Sequence, residues 1–108
     1  MSSRRQLSRT ECLQILTDSL SQLGQQFGVR SIAIFGSVAR DEARRYSDVD
    51  ILVDFESPPS LFTLIRLENW LSKRLGVRVD AVMSDSAKPS FLRRIAQDVV
   101  PVHSWRSS

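Results

Sequence analysis

Ser31-Ile32-Ala33-Ile34-Phe35-Gly36-Ser37, then ten residues, then Asp48-Val49-Asp50-Ile51-Leu52-Val53 is the stretch that decides the fold. Two short apolar runs rich in β-branched residues read as strands. The first ends on Gly-Ser and the second opens on two aspartates one residue apart. A strand alternates its faces and rises about 3.3 Å per residue, so Asp48 and Asp50 are expected on one face with Cα atoms roughly 6.6 Å apart. Two carboxylates so placed can share a divalent cation. Mg²⁺ takes oxygen ligands at about 2.0–2.1 Å, few of them from protein, and fills its shell with water and substrate phosphate. Gly36 has no Cβ, which lets phosphate oxygens approach the backbone. Ser37 is expected to cap the following short helix while its amide and hydroxyl face an anion.

The aspartate pair alone says little, because eight Asp among 108 residues would give about 0.6 such pairs by chance. With Gly-Ser required at one fixed spacing, the chance falls to about 0.003. The bland alternative makes Asp48 a turn carboxylate after Ser47 and Asp50 a solvent-facing strand residue.

A third carboxylate comes from Gly76-Val77-Arg78-Val79-Asp80-Ala81-Val82, another β-branched run, reached from the Asp48/Asp50 strand through a helical segment. A strand, helix, strand connection makes a right-handed crossover to a parallel strand. Neighbouring strands lie about 4.8 Å apart, so Asp80 can join the first two acids. Three carboxylates at one sheet edge repel one another, and raised pKa values are expected until a cation is bound.

Ile34-Phe35-Gly36-Ser37-Val38-Ala39-Arg40, followed by Ser47-Asp48-Val49-Asp50-Ile51-Leu52-Val53, resembles the minimal nucleotidyltransferase group of the DNA polymerase beta superfamily. The resemblance covers about residues 29–80. It implies an α/β domain of the small polymerase-beta-like nucleotidyltransferase fold, with a mixed three- to four-stranded sheet and helices packed on it. It also implies a Mg²⁺-dependent enzyme that moves a nucleoside monophosphate, AMP from ATP, to an acceptor hydroxyl. By the resemblance Asp48, Asp50 and Asp80 are the catalytic, metal-binding set for two Mg²⁺ ions, with Asp80 at the catalytic ion and assisting the acceptor oxygen. From the residues themselves Gly36, Ser37 and Arg40 are the expected nucleotide-binding set, since Arg40, with Arg44 and Arg45, lies on or just after the short helix that Ser37 begins, where a guanidinium can reach phosphate. Small relatives commonly occur with a HEPN-domain ribonuclease toxin, so the resemblance implies an antitoxin that adenylylates a tyrosine of that toxin. One departure is Asp41, where many relatives carry Gly; an altered local shape is expected there without loss of activity.

The rest of the chain reads as one unit over residues 1–108. Ser8-Arg9-Thr10-Glu11 resembles a capping box, and Leu13, Leu16, Leu20, Leu23 and Phe27 recur at helical spacing, predicting a first helix over about residues 9–27. The catalytic core is expected over about 29–83. After the Asp48 strand, Ser57-Pro58-Pro59-Ser60 breaks the chain and starts a helix with Leu61, Leu64, Ile65, Leu71 and Leu75 on its apolar side. A C-terminal helix from about Pro89 carries Phe91, Leu92 and Ile95, and Val99-Val100-Pro101-Val102 reads as an edge strand within a last segment of about 86–103. The first two strands are expected antiparallel, bringing Ser37 beside Asp48.

Thirteen Arg and two Lys against twelve acids leave a net charge of +3, mildly basic, with no long basic run and no aromatic platform for nucleic acid. A triphosphate suits that charge; nucleic acid as a direct partner does not stand out. No run nears the roughly eighteen apolar residues of a membrane span, and Met1-Ser2-Ser3-Arg4-Arg5 opens without an apolar signal core, so a cytoplasmic location is expected. Cys12, alone, can form no internal disulfide and is expected to be a buried thiol. His103 and Trp70 read as bystanders, Trp70 as core or partner interface, whereas Tyr46 stands next to Ser47-Asp48 and can contact the nucleotide or accept self-modification. The chain lacks an acceptor-holding lobe, so a homo- or hetero-oligomeric partner is expected to lend a surface. Two other classes stay open: an antitoxin acting by contact alone, and a transferase acting on small molecules or RNA ends.

Overall fold

A computed structural model describes residues 7–42 and 48–102. Tyr46, Ser47, Arg44, Arg45 and His103 lie outside the described residues.

The elements run α1 (Arg9–Phe27), β1 (Val29–Phe35), α2 (Gly36–Ala39), β2 (Val49–Phe55), α3 (Leu61–Leu75), β3 (Val79–Met83), a 3₁₀ turn (Ser84–Ser86), α4 (Pro89–Ile95) and β4 (Val100–Pro101). They form the mixed α/β fold expected, around a four-stranded sheet in the order β3-β2-β1-β4. α1 starts with both halves of the capping box: the Ser8 hydroxyl accepts from the Glu11 amide and the Glu11 carboxylate accepts from the Ser8 amide. It stops at Gly28, whose φ of 72° ends the helix in a left-handed turn. The chain makes α2 between β1 and β2, and the two strands pair antiparallel, with Phe35 opposite Asp50. The α3 crossover then returns the chain to make β3 parallel to β2, with Asp80 opposite Asp50. β4 pairs antiparallel with the far side of β1.

The core lies between the sheet and the helices α1 and α3. Leu16, Leu23, Ile34, Ile51, Leu67 and Leu71 are fully enclosed, and each contributes roughly 1.5–3 kcal/mol by leaving water. Trp70 is half-buried at the rim of this core, with Phe27 edge-on at 5.7 Å and the Arg74 guanidinium 4.5 Å from its ring centre. Its core placement is as expected from the sequence.

α3 corrects one expectation. Leu67, Leu71 and Leu75 are buried and Leu64 packs against them, but Leu61 and Ile65 stand 72% and 44% exposed, beside Phe62. Helical period says which side chains share a face; it does not say how far along the axis the neighbouring elements reach, and the first turn of α3 outruns them. The outer side of β3 is met by α3 itself: the Val79 amide donates to Ser72 Oγ at 3.1 Å and the Ala81 amide to Glu68 Oε2 at 2.8 Å.

Cys12 is fully enclosed, and burial pushes its thiol up to about 12. The thiolate is the reactive form, so iodoacetamide at pH 8 is expected to leave Cys12 unmodified in the native protein and to alkylate it in denaturant. Mass spectrometry after a timed pulse checks this; rapid native labelling would contradict it. Among the described residues no helix is long and apolar enough to cross a membrane.

Candidate active site

β1 delivers the chain into the site. Phe35 is extended, and Gly36 then turns to φ 79°, a conformation in which L side chains are strained. The turn α2 follows at once, with Val38 and Ala39 buried beneath it. Ser37 therefore does not cap a helix as expected. The capping position falls on Phe35, which offers no side-chain bond, and Ser37 is the second residue of the turn, partly buried. The reversal at Gly36 starts the turn one residue earlier than a serine cap requires.

Asp50 occupies the second position of β2 and Asp80 the second position of β3. In-register neighbours on paired strands project to the same face, so the Asp50↔Asp80 pairing puts the two carboxylates side by side. Asp48, two residues before Asp50, precedes β2 and is partly buried. The Phe35↔Asp50 pairing brings Gly36 against the same carboxylate, and a Cβ built on Gly36 would collide with Asp50 Oδ2. Glycine at 36 thus serves twice: it permits the turn and it leaves Asp50 its place.

Burial pushes the Asp50 carboxyl up, the charges of Asp80 and then Asp48 push the same way, and Arg40 opposes them. The repulsion expected among the acids thus adds to burial at Asp50. Among the described residues no three Asp, Glu, His or Cys side chains stand close enough together to hold one metal ion. The three aspartates line one end of the sheet without converging on a point, as like charges do. Their chemistry fits magnesium: all donors are carboxylate oxygens, and Asp50 and Asp80 share a face beside a turn from which the Cβ is missing.

Arg40 ends the turn. Its Nε donates to Glu42 Oε1 and its Nη1 to Asp98 Oδ2, both at 3.0 Å. Asp80 Oδ1 lies 3.9 Å from Arg78 Nε, a loose and exposed pair. Asp41 takes the left-handed φ of 60° that glycine favours, so its backbone keeps the glycine-type conformation despite the substitution. Its Oδ1 accepts from the Arg9 amide at 3.1 Å, while Arg9 Nη1 donates to the Ala39 carbonyl at 3.2 Å. Sequence reading missed Asp98, Arg9 and Glu68. Only Asp41 carried a signal, as the one departure from the motif.

A sheet end bearing Gly-Ser on one strand and aspartates on the next two can now be set against known proteins. The nucleotidyltransferase domain family matches residues 13–103. The chain belongs to that family. Among the similar proteins, the protein adenylyltransferase MntA of Thermococcus cleftensis is 48% identical over 96 residues, covering 89% of this chain and 97% of that one. A Methanocaldococcus jannaschii protein also named as a protein adenylyltransferase is 41% identical over 92 residues, 84% of this chain and 94% of its own length. A solved minimal nucleotidyltransferase structure superposes with a TM-score of 0.73 at 35% identity, over 88% of this chain and 96% of that one. A toxin-antitoxin structure with AMP-PNP shares the fold, with a TM-score of 0.69 at 21% identity, over 83% of this chain and 74% of that one. This nucleotidyltransferase thus has its family's fold, with Gly36 against Asp50 and Asp50 opposite Asp80 at one end of the sheet.

Proposed function

We propose that the chain transfers AMP from ATP to a hydroxyl, a tyrosine of a HEPN-type ribonuclease toxin, and so acts as that toxin's antitoxin. The observation that carries the reading is the juxtaposition of Gly36 with Asp50 and of Asp50 with Asp80 at one end of the sheet. The likeness to the Thermococcus adenylyltransferase supports the reaction, and the likeness to structures of MNT antitoxins with HEPN toxins supports the kind of acceptor.

In this reading Gly36 and Ser37 receive the β- and γ-phosphates, and Arg40 belongs to the same nucleotide-binding turn. Asp48 and Asp50 would hold two Mg²⁺ ions, with Asp80 joining at the one nearer the acceptor; bound there, the ions supply charge that stabilises the attacking and leaving oxygens. The acceptor oxygen attacks the α-phosphorus in line, its bond forms as the α–β bridging bond breaks, and pyrophosphate departs. Asp80 takes the acceptor proton, a task suited to its half-exposed position. A cytoplasmic setting goes with an ATP-dependent reaction on an intracellular ribonuclease.

The test is incubation of the chain with a HEPN-domain protein, Mg²⁺ and α-labelled ATP. The expected result is label on the HEPN protein, with one or more adenylates mapped to a tyrosine by mass spectrometry. Asp48→Asn should abolish it. Equal labelling by Asp48→Asn would remove the mechanism, and toxin neutralised without any label would put contact alone in its place. Turnover on tRNA ends or small hydroxyl compounds with no protein acceptor would move the substrate class.

A further inference from the structure

We propose that Arg40 is a positioning residue, acting through the Gly36–Ala39 turn: by tying the turn to Asp98 it fixes the place where the triphosphate is received. The inference rests on the functional reading above for what the turn binds, and on geometry for the tie.

A guanidinium offers its donors in a fixed fork. In Arg40 the Nε side is occupied by Glu42 and the Nη1 side by Asp98, each at 3.0 Å. Two of its five N–H donors are thus spent on carboxylates of the protein itself, which hold the guanidinium against Glu42 and Asp98. The Arg40 amide is meanwhile bonded back to the Gly36 carbonyl, so the residue that grips Asp98 is part of the turn it steadies.

Asp98 is itself held. Its amide donates to the Ile95 carbonyl at 2.8 Å, just after α4, and Ile95 is buried. α4 is anchored in turn by Phe91, which meets the ring of Phe35 edge-on at 5.7 Å, one residue before Gly36. The tie from Arg40 therefore closes a loop of contacts around the turn. On its other flank Arg9 holds the Ala39 carbonyl and Asp41 holds the Arg9 amide. The three tethers reach residues 30, 32 and 58 positions away in the chain, so the four-residue turn is held from both flanks as well as by its own backbone bonds.

The tie is exposed, with the Arg40 and Asp98 side chains 42% and 29% accessible. Exposed ion pairs add little to global stability, so this one is expected to act on where the turn sits and hardly at all on whether the protein folds. Misplacing groups that orient a substrate is costly even when the displacement is small.

A double-mutant cycle tests this, with Arg40→Ala, Asp98→Asn, both together, and Arg40→Lys. ATP dissociation constants, kcat and KM for labelling, and Tm are measured for each. Both single variants are expected to weaken ATP binding about 3–10-fold, with Tm nearly unchanged, and the double variant to be no worse than the worse single one. Arg40→Lys should recover part of the loss, because an ammonium can still meet Asp98. If Arg40→Ala weakens ATP while Asp98→Asn leaves it unchanged or tightens it, Arg40 touches phosphate directly and the tie is overturned. It is equally overturned if the single variants lower Tm but bind ATP as the wild type does, or if their effects simply add. Wild-type protein that takes up no ATP removes the functional reading and the tie together; wild-type uptake with an unaffected Asp98→Asn variant removes the tie alone.

Discussion

Asp50→Asn is expected to lower nucleotidyl transfer by on the order of 10²–10³-fold or more, while leaving the metal-free protein as stable as the wild type or more so. The two halves have one cause. Asp50 stands between Asp80, its partner across the parallel strands, and Gly36, whose turn is proposed to receive the phosphates, so it is the acid through which cation and nucleotide would be brought together. Loss of one preorganised charge at such a site costs about 10²–10³ in rate. Without a cation, that same charge is a burden, because burial and the two neighbouring aspartates hold its carboxyl above its ordinary value of 3.8.

The sign follows from linkage. A raised acid binds more protons folded than unfolded, so native stability falls as pH rises from 3.8 through the folded value, and at neutral pH the penalty is fully present. Asparagine removes it. In EDTA the variant should melt at or above the wild-type temperature at pH 7, and the two curves should converge below pH 3.8. Paired thermal scans and labelling rates check both halves. A variant that keeps full activity would remove Asp50 from the chemistry, and one that is markedly less stable at pH 7 would mean the carboxylate is structurally satisfied.

Gly36→Ala should be the most damaging single methyl group that can be added to the site. At φ 79° an L side chain costs about 1–2 kcal/mol from the backbone alone, which in a domain of this size is roughly 5–15 °C of Tm. The added Cβ also drives into the Asp50 carboxylate. A flexible side chain can swing away, so the clash costs little stability, yet the swing takes the carboxylate out of line with Asp80. Misplacement of about 1 Å is worth about 10²-fold in rate. Gly28→Ala separates the two costs, since Gly28 has nearly the same φ, 72°, with nothing within 4 Å of its would-be Cβ. Both variants should lose similar stability, and only Gly36→Ala should lose transfer. Equal activity in the two would mean that Asp50 tolerates displacement.

What was legible in the sequence was what local spacing dictates. The Gly-Ser turn after one apolar run, the aspartates opening the next, and the crossover rule that brings Asp80 alongside Asp50 all follow from strand period and handedness, and each element appears where it was expected. The capping box and the helix it starts were equally local. The rotation and reach of α3 were not, because Leu61 and Leu67 differ in what lies beneath them rather than in their own character. Nor was the pairing of Arg40 with Asp98, since either charge taken alone is an ordinary surface residue. Ser37 was misread for a third reason: a serine after glycine is a good cap by composition, and only the φ of Gly36 shows that the turn has begun before it.

One border of the sheet ends on amides already given to Ser72 and Glu68, and the other is a two-residue strand carrying a proline. Among the described residues both borders are thus blunted against a foreign peptide, one by side chains of α3 on two of its amides and the other by its shortness and its proline. Blunted borders disfavour main-chain zippering, which is unselective, and leave association to side chains and shape, which are selective.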